Sequence, residues 1–273
     1  MHIARIAAIV NPMSGAGMDP HAATHRVAML RDAFASRQIS ATIDLTAQSG
    51  HARELARAAV SAHADLVIVW GGDGTINEVG SELVGSSTAL GLIPAGSGNG
   101  LAGGLDLPRD PHAALATALG ERTLAIDVGM FDDRPFFNIA GIGFDAHIAR
   151  LFNQRPRGRR GRLPYVVIGA REGFRYVAKE YSITLDGQTR RSQALLIAFA
   201  NGREYGMGMR IVPWAKLDDG LLDACVVEDR SVLARFRDAR HLALGSMRLA
   251  PGAVTQPIKS AIVETEGEIE YHL

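Results

Sequence analysis

Asp73 stands inside Gly71-Gly72-Asp73-Gly74-Thr75, where the glycines admit an anion close to the backbone and the carboxylate would repel it. A bound Mg²⁺ removes that conflict, because hard oxygen ligands hold the ion and phosphate oxygens complete its shell. The other reading is a tight βα turn with a capping aspartate, and the turn alone leaves both open. Three further sets of residues invite the same question. Asp145 follows two glycines in Gly141-Ile142-Gly143-Phe144-Asp145 at a predicted helix start, suited to a substrate contact or to helix capping. Asp219 lies in Lys216-Leu217-Asp218-Asp219-Gly220-Leu221, either a plain hairpin loop or a place where a cation could use Asp219 with neighbouring carbonyls. Arg155, Arg157, Arg159, Arg160 and Arg162 form a cluster that reads as a solvated loop or as a contact for anionic lipid heads.

Other chemistries find less support. No Gly-x-x-x-x-Gly-Lys-Ser/Thr occurs, so an ordinary P-loop is excluded. Gly98 to Gly103 fits Gly-x-Gly-x-x-Gly with Asp127 beyond it, but it follows a fourth predicted strand and not a first, which weakens a dinucleotide reading. Gly96-Ser97-Gly98 falls one position short of a nucleophile elbow. The nine histidines argue for no zinc site. Lys+Arg and Asp+Glu both number 29, so no global field draws nucleic acid or an acidic partner. Cys225 is the single cysteine, which rules out an internal disulfide and fits a reducing cytosol. No run approaches the roughly 18–20 apolar residues of a membrane span, and the first residues do not make a signal peptide. A cytoplasmic protein is expected, resting at most on a membrane surface.

The elements that must position these residues follow from periodicity. Leu66 to Trp70 reads as a strand buried on both faces, with a helix opening at about Thr75. Ile3–Val10, Ile39–Leu45 and Leu90–Ile93 are further strands, each separated from the next by a helical pattern, so a parallel sheet is expected. Ligands of such sheets sit outside the carboxyl ends of the strands, where the loops at Asn11, Thr46, Gly71 and Gly96 would gather. After about Thr123 the texture changes. Strands are predicted at Leu124–Met130, Arg134–Ala140, Tyr181–Asp186, Ser192–Ala200, Leu221–Val227 and Ile258–Val263, with helices at Phe144–Phe152 and about Tyr165–Val177. The expectation is an α/β nucleotide-binding domain over residues 1–125 and an antiparallel β-sandwich over 126–273.

Taken in order, Asn11-Pro12-x-Ser14-Gly15, Gly71 to Thr75 with Asn77-Glu78-Val79, Pro94 to Asn99, Gly141 to Asp145 and Leu217 to Leu221 resemble the diacylglycerol kinase catalytic-domain family, which includes bacterial soluble lipid kinases and sphingosine kinases. The resemblance implies a lipid kinase using ATP and Mg²⁺ on diacylglycerol, a sphingoid base or a related lipid alcohol, in contact with a membrane surface and as a possible homodimer. It implies that Asn11, Ser14, Gly15, Thr46, Gly71, Gly72, Asp73, Gly74, Thr75, Asn77 and Ser97 contact ATP, with Asp73 acting through Mg²⁺. Glu78 would support the loop or the substrate, and Asp145 matches a position that binds the lipid head in sphingosine kinases. Lys216 and Leu221 carbonyls with the Asp219 side chain would correspond to a structural Mg²⁺ site.

Two departures accompany the likeness. Gly96-Ser97-Gly98-Asn99 stands where many diacylglycerol-type members carry Gly-Thr-x-Asn-Asp, which leaves the lipid open. The family usually places an Asp-Gly-Glu turn with its general base after the final strand; Glu268 to Leu273 reads as that strand, after which the chain ends. The family's usual base is then expected to be absent from this chain or to lie elsewhere, with Asp73, or else Asp145, a substitute catalytic residue. An NAD kinase, which shares the Gly-Gly-Asp-Gly-Thr turn, and a non-catalytic lipid- or nucleotide-binding regulator are the rival readings.

Overall fold

The computed structural model describes residues 5–15, 19, 21–154, 162–206 and 208–273. Arg155, Arg157, Arg159 and Arg160 and the side chain of Arg162 lie outside the described residues. Two compact units divide the chain, Met1–Ala125 and Ile126–Leu273.

In the first unit, strands β1 (Ile6–Val10), β2 (Ala41–Leu45), β3 (Leu66–Gly71) and β4 (Ala89–Pro94) form a parallel sheet in the order β2-β1-β3-β4. Every residue of β1 and β3 is buried, as their unbroken apolar runs require of strands covered on both faces. Helices α1 (Ala22–Ser36), α2 (His51–Ser61), α3 (Asp73–Leu83), α4 (Gly100–Gly104) and α5 (Pro111–Ala118) connect and follow them. The signal for α5 is Asp110-Pro111: the Asp110 carboxylate accepts the Ala113 N–H at 2.9 Å, and proline suits the first helical turn. Val10 pairs with both Leu45 and Trp70, and Gly71 with Pro94, so all four strands end at one edge. Backbone bonds continue past those ends, from Asn11 to Trp70, Thr46 to Val10 and Ala95 to Gly71, at 2.9, 2.9 and 2.8 Å. The four loops start from a fixed rim.

The second unit holds β5 (Gly129–Phe131), β6 (Arg134–Phe136), β7 (Ile139–Gly143), α6 (Phe144–Asn153), α7 (Arg162–Gly173), β8 (Lys179–Leu185), β9 (Gln188–Ala200), β10 (Leu222–Glu228), α8 (Val232–Leu244), β11 (Ala253–Ile258), β12 (Ala261–Glu264) and β13 (Tyr271–His272). Seven strands make one antiparallel sheet, ordered β11-β10-β9-β7-β13, with β8 also on β9 and β12 on β8. The 13-residue β9 carries both halves: its first part pairs with β8 and its last part with β7 and β10. Successive side chains of β7, β9 and β10 enter two cores on opposite faces. One contains Ala140, Ile142, Ile197 and Phe199, the other Ile139, Ala198, Ala200 and Cys225. Burial pushes the Cys225 thiol up to about 12, which makes it an inert core group.

Several strand expectations need correction, each for a local reason. Only the end of Leu124–Met130 is strand, because the Asp127 N–H donates to the Leu217 carbonyl and its carboxylate accepts the Gly220 N–H at 2.7 Å. Arg134–Ala140 breaks at Asn138, whose amide donates to the Glu204 carbonyl at 2.7 Å. Ile258–Val263 breaks at Lys259-Ser260, whose N–H groups both donate to Asp186 Oδ1, at 2.9 and 2.8 Å. The run Glu268–Leu273 is not a long strand; only Tyr271–His272 pairs, with Ile142 and Gly141.

Candidate functional site

The two glycine loops of the first unit touch backbone to backbone. A methyl group at Gly96 would fall 2.7 Å from the Gly72 Cα, and one at Gly72 would fall 3.0 Å from the Gly96 Cα. Asp73 ties the loops together: its carboxylate accepts the Asn99 and Gly100 N–H groups, both at 2.8 Å, at the start of α4. Asn99 closes its own loop, accepting the Gly96 N–H at 2.7 Å and donating to the Gly96 carbonyl at 2.9 Å. Its φ of 54° is left-handed, a conformation that asparagine tolerates better than most residues. Asn99 was not among the expected contact residues, although asparagine within a glycine run is a loop-closing signal.

Asp73 therefore caps a helix, and it does so without withdrawing into the interior. The residue is exposed, and a methyl at Gly74 would meet nothing within 4 Å, so the first turn of α3 opens outward. Loss of water around the carboxyl group, where the surrounding backbone covers it, raises its pKa, and the Asn99 and Gly100 N–H groups pull it partly back. A positive ion or a proton would relieve that poorly hydrated charge.

The first loop is stitched to the same place. Asn11 Nδ2 donates to Thr75 Oγ1 at 2.8 Å, and the Gly72 N–H donates to Ser14 Oγ at 3.2 Å. Arg26 from α1 donates to the Asn11 and Ser14 carbonyls at 2.7 and 2.5 Å and lies over the Trp70 ring. Gly15 takes a left-handed φ of 111° beside that guanidinium. Thr46 is buried at the end of β2, Ser97 is exposed in the β4–α4 loop, and Asn77 is half-buried on α3. Glu78 turns to the start of α2, where its Oε1 accepts the Gly50 N–H at 3.0 Å. It supports the Thr46–Gly50 loop. Glu78→Ala is expected to lower stability by about 1 kcal/mol, the usual worth of a helix cap, measured by urea unfolding.

In the second unit Asp145 is buried at the start of α6. Its carboxylate accepts the Tyr205 hydroxyl at 2.6 Å and the Tyr165 hydroxyl at 3.4 Å, and His272 Nδ1 lies 3.3 Å away. Burial, and the negative charge of Asp145 after it, push both tyrosine pKa values up, so both remain donors at neutral pH. Gly141 is required beside them: a methyl there would overlap Asp145 Oδ2 and come within 2.5 Å of His272 Cε1. Gly141→Ala is expected to dislodge the carboxylate at a cost of about 1–3 kcal/mol, read as a lowered melting temperature.

A cavity of about 690 Å³ lies on the other face of β7, lined by Phe131, Phe136, Ile142, Phe199, Ile258 and Tyr271 among others, with Asp127 and Lys259 also lining it. Tyr271 lines it while His272 faces Asp145, so the two-residue β13 separates cavity and carboxylate.

At the turn expected to hold a structural ion, Asp219 Oδ1 accepts the Leu221 N–H at 3.2 Å, and Lys216 and Asp219 are exposed. No group of three or more His, Cys, Asp or Glu able to hold a metal occurs among the described residues, so an ion at this turn would depend on carbonyls, in keeping with the set that includes Lys216 and Leu221. His21 and His25, four residues apart at the start of α1, were overlooked in the sequence; their rings lie 6.2 Å apart and belong to no such group. After β12 comes Glu266-Gly267-Glu268, with Gly267 at a left-handed φ of 78°. An acidic-Gly-Glu turn thus stands between β12 and β13, ahead of the place after Glu268–Leu273 where the resemblance puts Asp-Gly-Glu.

The family model described as "Diacylglycerol kinase catalytic domain" matches residues 5–131, and the "YegS C-terminal NAD kinase beta sandwich-like domain" matches residues 138–267. The chain is 34% identical over 236 residues, 75% of the relative's length and 84% of its own, to a protein named "Diacylglycerol kinase" in Mycobacterium tuberculosis. It belongs to the diacylglycerol kinase family. The family member named "Probable lipid kinase YegS-like" in Chromohalobacter salexigens is 36% identical over 199 residues, 71% of this chain and 64% of that relative, so the match spans under two thirds of that protein. A crystal structure of a diacylglycerol kinase from Bacillus anthracis superposes over 100% of this chain and 90% of its own, with a TM-score of 0.72 at 25% identity. That family fold pairs a parallel sheet flanked by helices with a C-terminal antiparallel sheet, and this chain has both.

Proposed function

We propose that the protein is a lipid kinase that transfers a phosphoryl group from ATP, with Mg²⁺, to a hydroxyl of a membrane lipid. The observation that carries this reading is Asp73 at the open first turn of α3, its poorly hydrated carboxylate beside two glycine loops. A triphosphate would lie against the N-terminus of α3, where helix polarity and N–H donors favour an anion. Asn11, Ser14, Gly15, Gly71, Gly72, Gly74 and Thr75 would shape the backbone around it, with Thr46, Asn77 and Ser97 at its margins. Mg²⁺ bound with the nucleotide would supply charge neutralisation, and Asp73 is the residue suited to hold it, since a cation offsets the lost hydration that raises its pKa.

Asp145, Tyr165, Tyr205 and His272 are the proposed lipid-head contacts, a set able to donate and accept hydrogen bonds. Glu266, in the turn after β12, is the proposed proton acceptor for the attacking hydroxyl, with Asp73 the substitute. The cavity offers lipid tails the side chains of Phe131, Phe136, Phe199 and Ile258 within a lining that is about half polar, Asp127, Asp132 and Lys259 included; it lies on the other side of β13 from Asp145, so one lipid would have to pass that edge to use both. A structural Mg²⁺ at Lys216, Asp219 and Leu221 belongs to the same proposal. The decisive assay incubates the protein with Mg-ATP and a total lipid extract and reads new phospholipids by mass spectrometry. A phosphorylated diacylglycerol, sphingoid base or other lipid alcohol is expected. Phosphorylation of NAD instead, or tight ATP binding without turnover on any lipid, would overturn it.

A further inference from the structure

The outward face of α7 is apolar. Leu163, Val166, Val167 and Phe174 just beyond its end are exposed, Leu163 at 74%, at a spacing of three and four that keeps them on one side. Tyr165 and Ile168 turn the other way, toward α6. The pattern recurs on α8, where Leu233 is 80% exposed and Leu244 75%, while Ala234 and Asp238 are buried. The two helices are fastened together. The Phe174 and Phe236 rings lie 4.6 Å apart, and Arg235 donates from α8 to the Gly173 and Tyr176 carbonyls, each at 2.9 Å. Two bonds to Asp229, at 2.7 and 2.8 Å, hold that arginine in place. Large apolar side chains are therefore held in water on a rigid platform.

Charge on this platform has one sign. Arg171, Arg175, Arg237 and Arg240 are exposed. The only carboxylates of α7 and α8 turn inward, Glu172 to His147 at 3.2 Å and Asp238 to Arg230. Arg171 and Arg237 also lie near those two acids, at 3.8 and 3.3 Å, and still present guanidinium to solvent. Apolar side chains between arginines, with no exposed acid on either helix among the described residues, match a bilayer of anionic lipid: the former enter the boundary of head group and acyl chain, the latter meet phosphate.

We propose that α7 and α8 form the surface by which this protein rests on an anionic bilayer. The proposal builds on the lipid-kinase reading, to which it adds the face that meets the substrate's membrane. Tyr165, on the inner side of α7, reaches Asp145 at 3.4 Å, so the helix that carries the docking face also carries one of the proposed head-group contacts.

The test uses the whole protein without nucleotide, sedimented with vesicles of phosphatidylcholine containing 30% phosphatidylglycerol and with pure phosphatidylcholine. Binding is expected to the first, weakened by 0.5 M salt and far weaker to the second. The pair Leu163→Asp and Leu233→Asp should abolish it. The pair Arg237→Gln and Arg240→Gln should weaken it about twenty- to thirtyfold, from the usual contribution of a basic residue near such a surface. Because the arginine pair removes little packing, it carries the test should the leucine pair fail to fold, as judged by thermal melts. Phosphorylation of a short-chain, water-soluble diacylglycerol should be unchanged in both pairs. Equal vesicle binding by the variants and the unsubstituted protein, or no binding at all, overturns the docking face while turnover on the soluble lipid leaves the kinase reading standing. A dimer that the leucine pair splits, without any vesicle binding, overturns it in favour of a second copy. Vesicle binding that is lost in the variants, in a protein inert toward every lipid alcohol, supports the face and removes the kinase.

Discussion

Asp73→Ala is expected to lower kcat/KM for lipid phosphorylation by about a thousandfold, the scale on which a preorganised electrostatic group at a transferring phosphoryl contributes. It is also expected to loosen the fold locally. The carboxylate holds the Asn99 and Gly100 N–H groups, so alanine leaves the start of α4 without its acceptor, at about 1 kcal/mol. The loop carboxylate is an anchor as well as a candidate metal ligand. Lost activity alone thus decides little. The discriminating measurement is the Mg²⁺ dependence: a metal-bridging role raises the Mg²⁺ concentration for half-maximal rate in Asp73→Asn, whereas an anchoring role alone does not. The pH dependence gives a second check. Lost hydration raises this pKa, so the ionised form costs stability in the folded protein at neutral pH, and that cost fades as the pH falls through the raised value. If ionised Asp73 is required, the acid limb of kcat/KM should fall at a pH above the ordinary aspartate range, and Asp73→Ala should remove that limb from any residual rate.

Gly96→Ala is expected to cost about 1–3 kcal/mol and most of the activity, although alanine is the smallest available change. Its methyl would meet the Gly72 Cα at 2.7 Å and Asn99 Oδ1 at 2.9 Å, and the first of these is backbone that cannot rotate away. The loops must separate, which takes Asn99 and Gly100 away from Asp73. Gly74→Ala provides the control: the same methyl meets nothing there, so stability should hold while nucleotide affinity falls if the triphosphate occupies that space. Equal melting temperatures for Gly96→Ala and the unsubstituted protein would refute the close-packed arrangement.

The parallel sheet and its loaded edge were legible because period and punctuation agree. Leu66–Gly71 is buried throughout, as an uninterrupted apolar run followed by glycines implies, and α3 starts at Asp73, two residues before the expected Thr75. The second unit was legible in its texture and less so in its joints. Its strands at 134–140 and 258–263 look continuous in sequence, yet Asn138 and Asp186 interrupt them through partners about 70 residues away, beyond any window of periodicity. Helix α8 was missed for a related reason: Leu233 and Leu244 face solvent and Asp238 faces inward, the reverse of the pattern that marks a packed helix. At the site, residue types announced the carboxylates but not their obligations. That Asp73 caps α4, that Glu78 supports α2 and that two tyrosines and a histidine surround Asp145 are facts of pairing across the fold.

The hairpin between β8 and β9 bears on how this protein can be engineered. Asp186-Gly187 has the left-handed pair of φ values, 45° and 84°, of a tight exposed turn, which ordinarily welcomes a grafted tag or a new chain terminus. Here the tip is a latch. Asp186 grips the corner at Lys259-Ser260, and β12, just beyond that corner, leads to the acidic turn at Glu266. A reporter peptide spliced into this tip would free the segment that delivers the proposed proton acceptor, so an inserted label should silence turnover while leaving the nucleotide-binding half untouched.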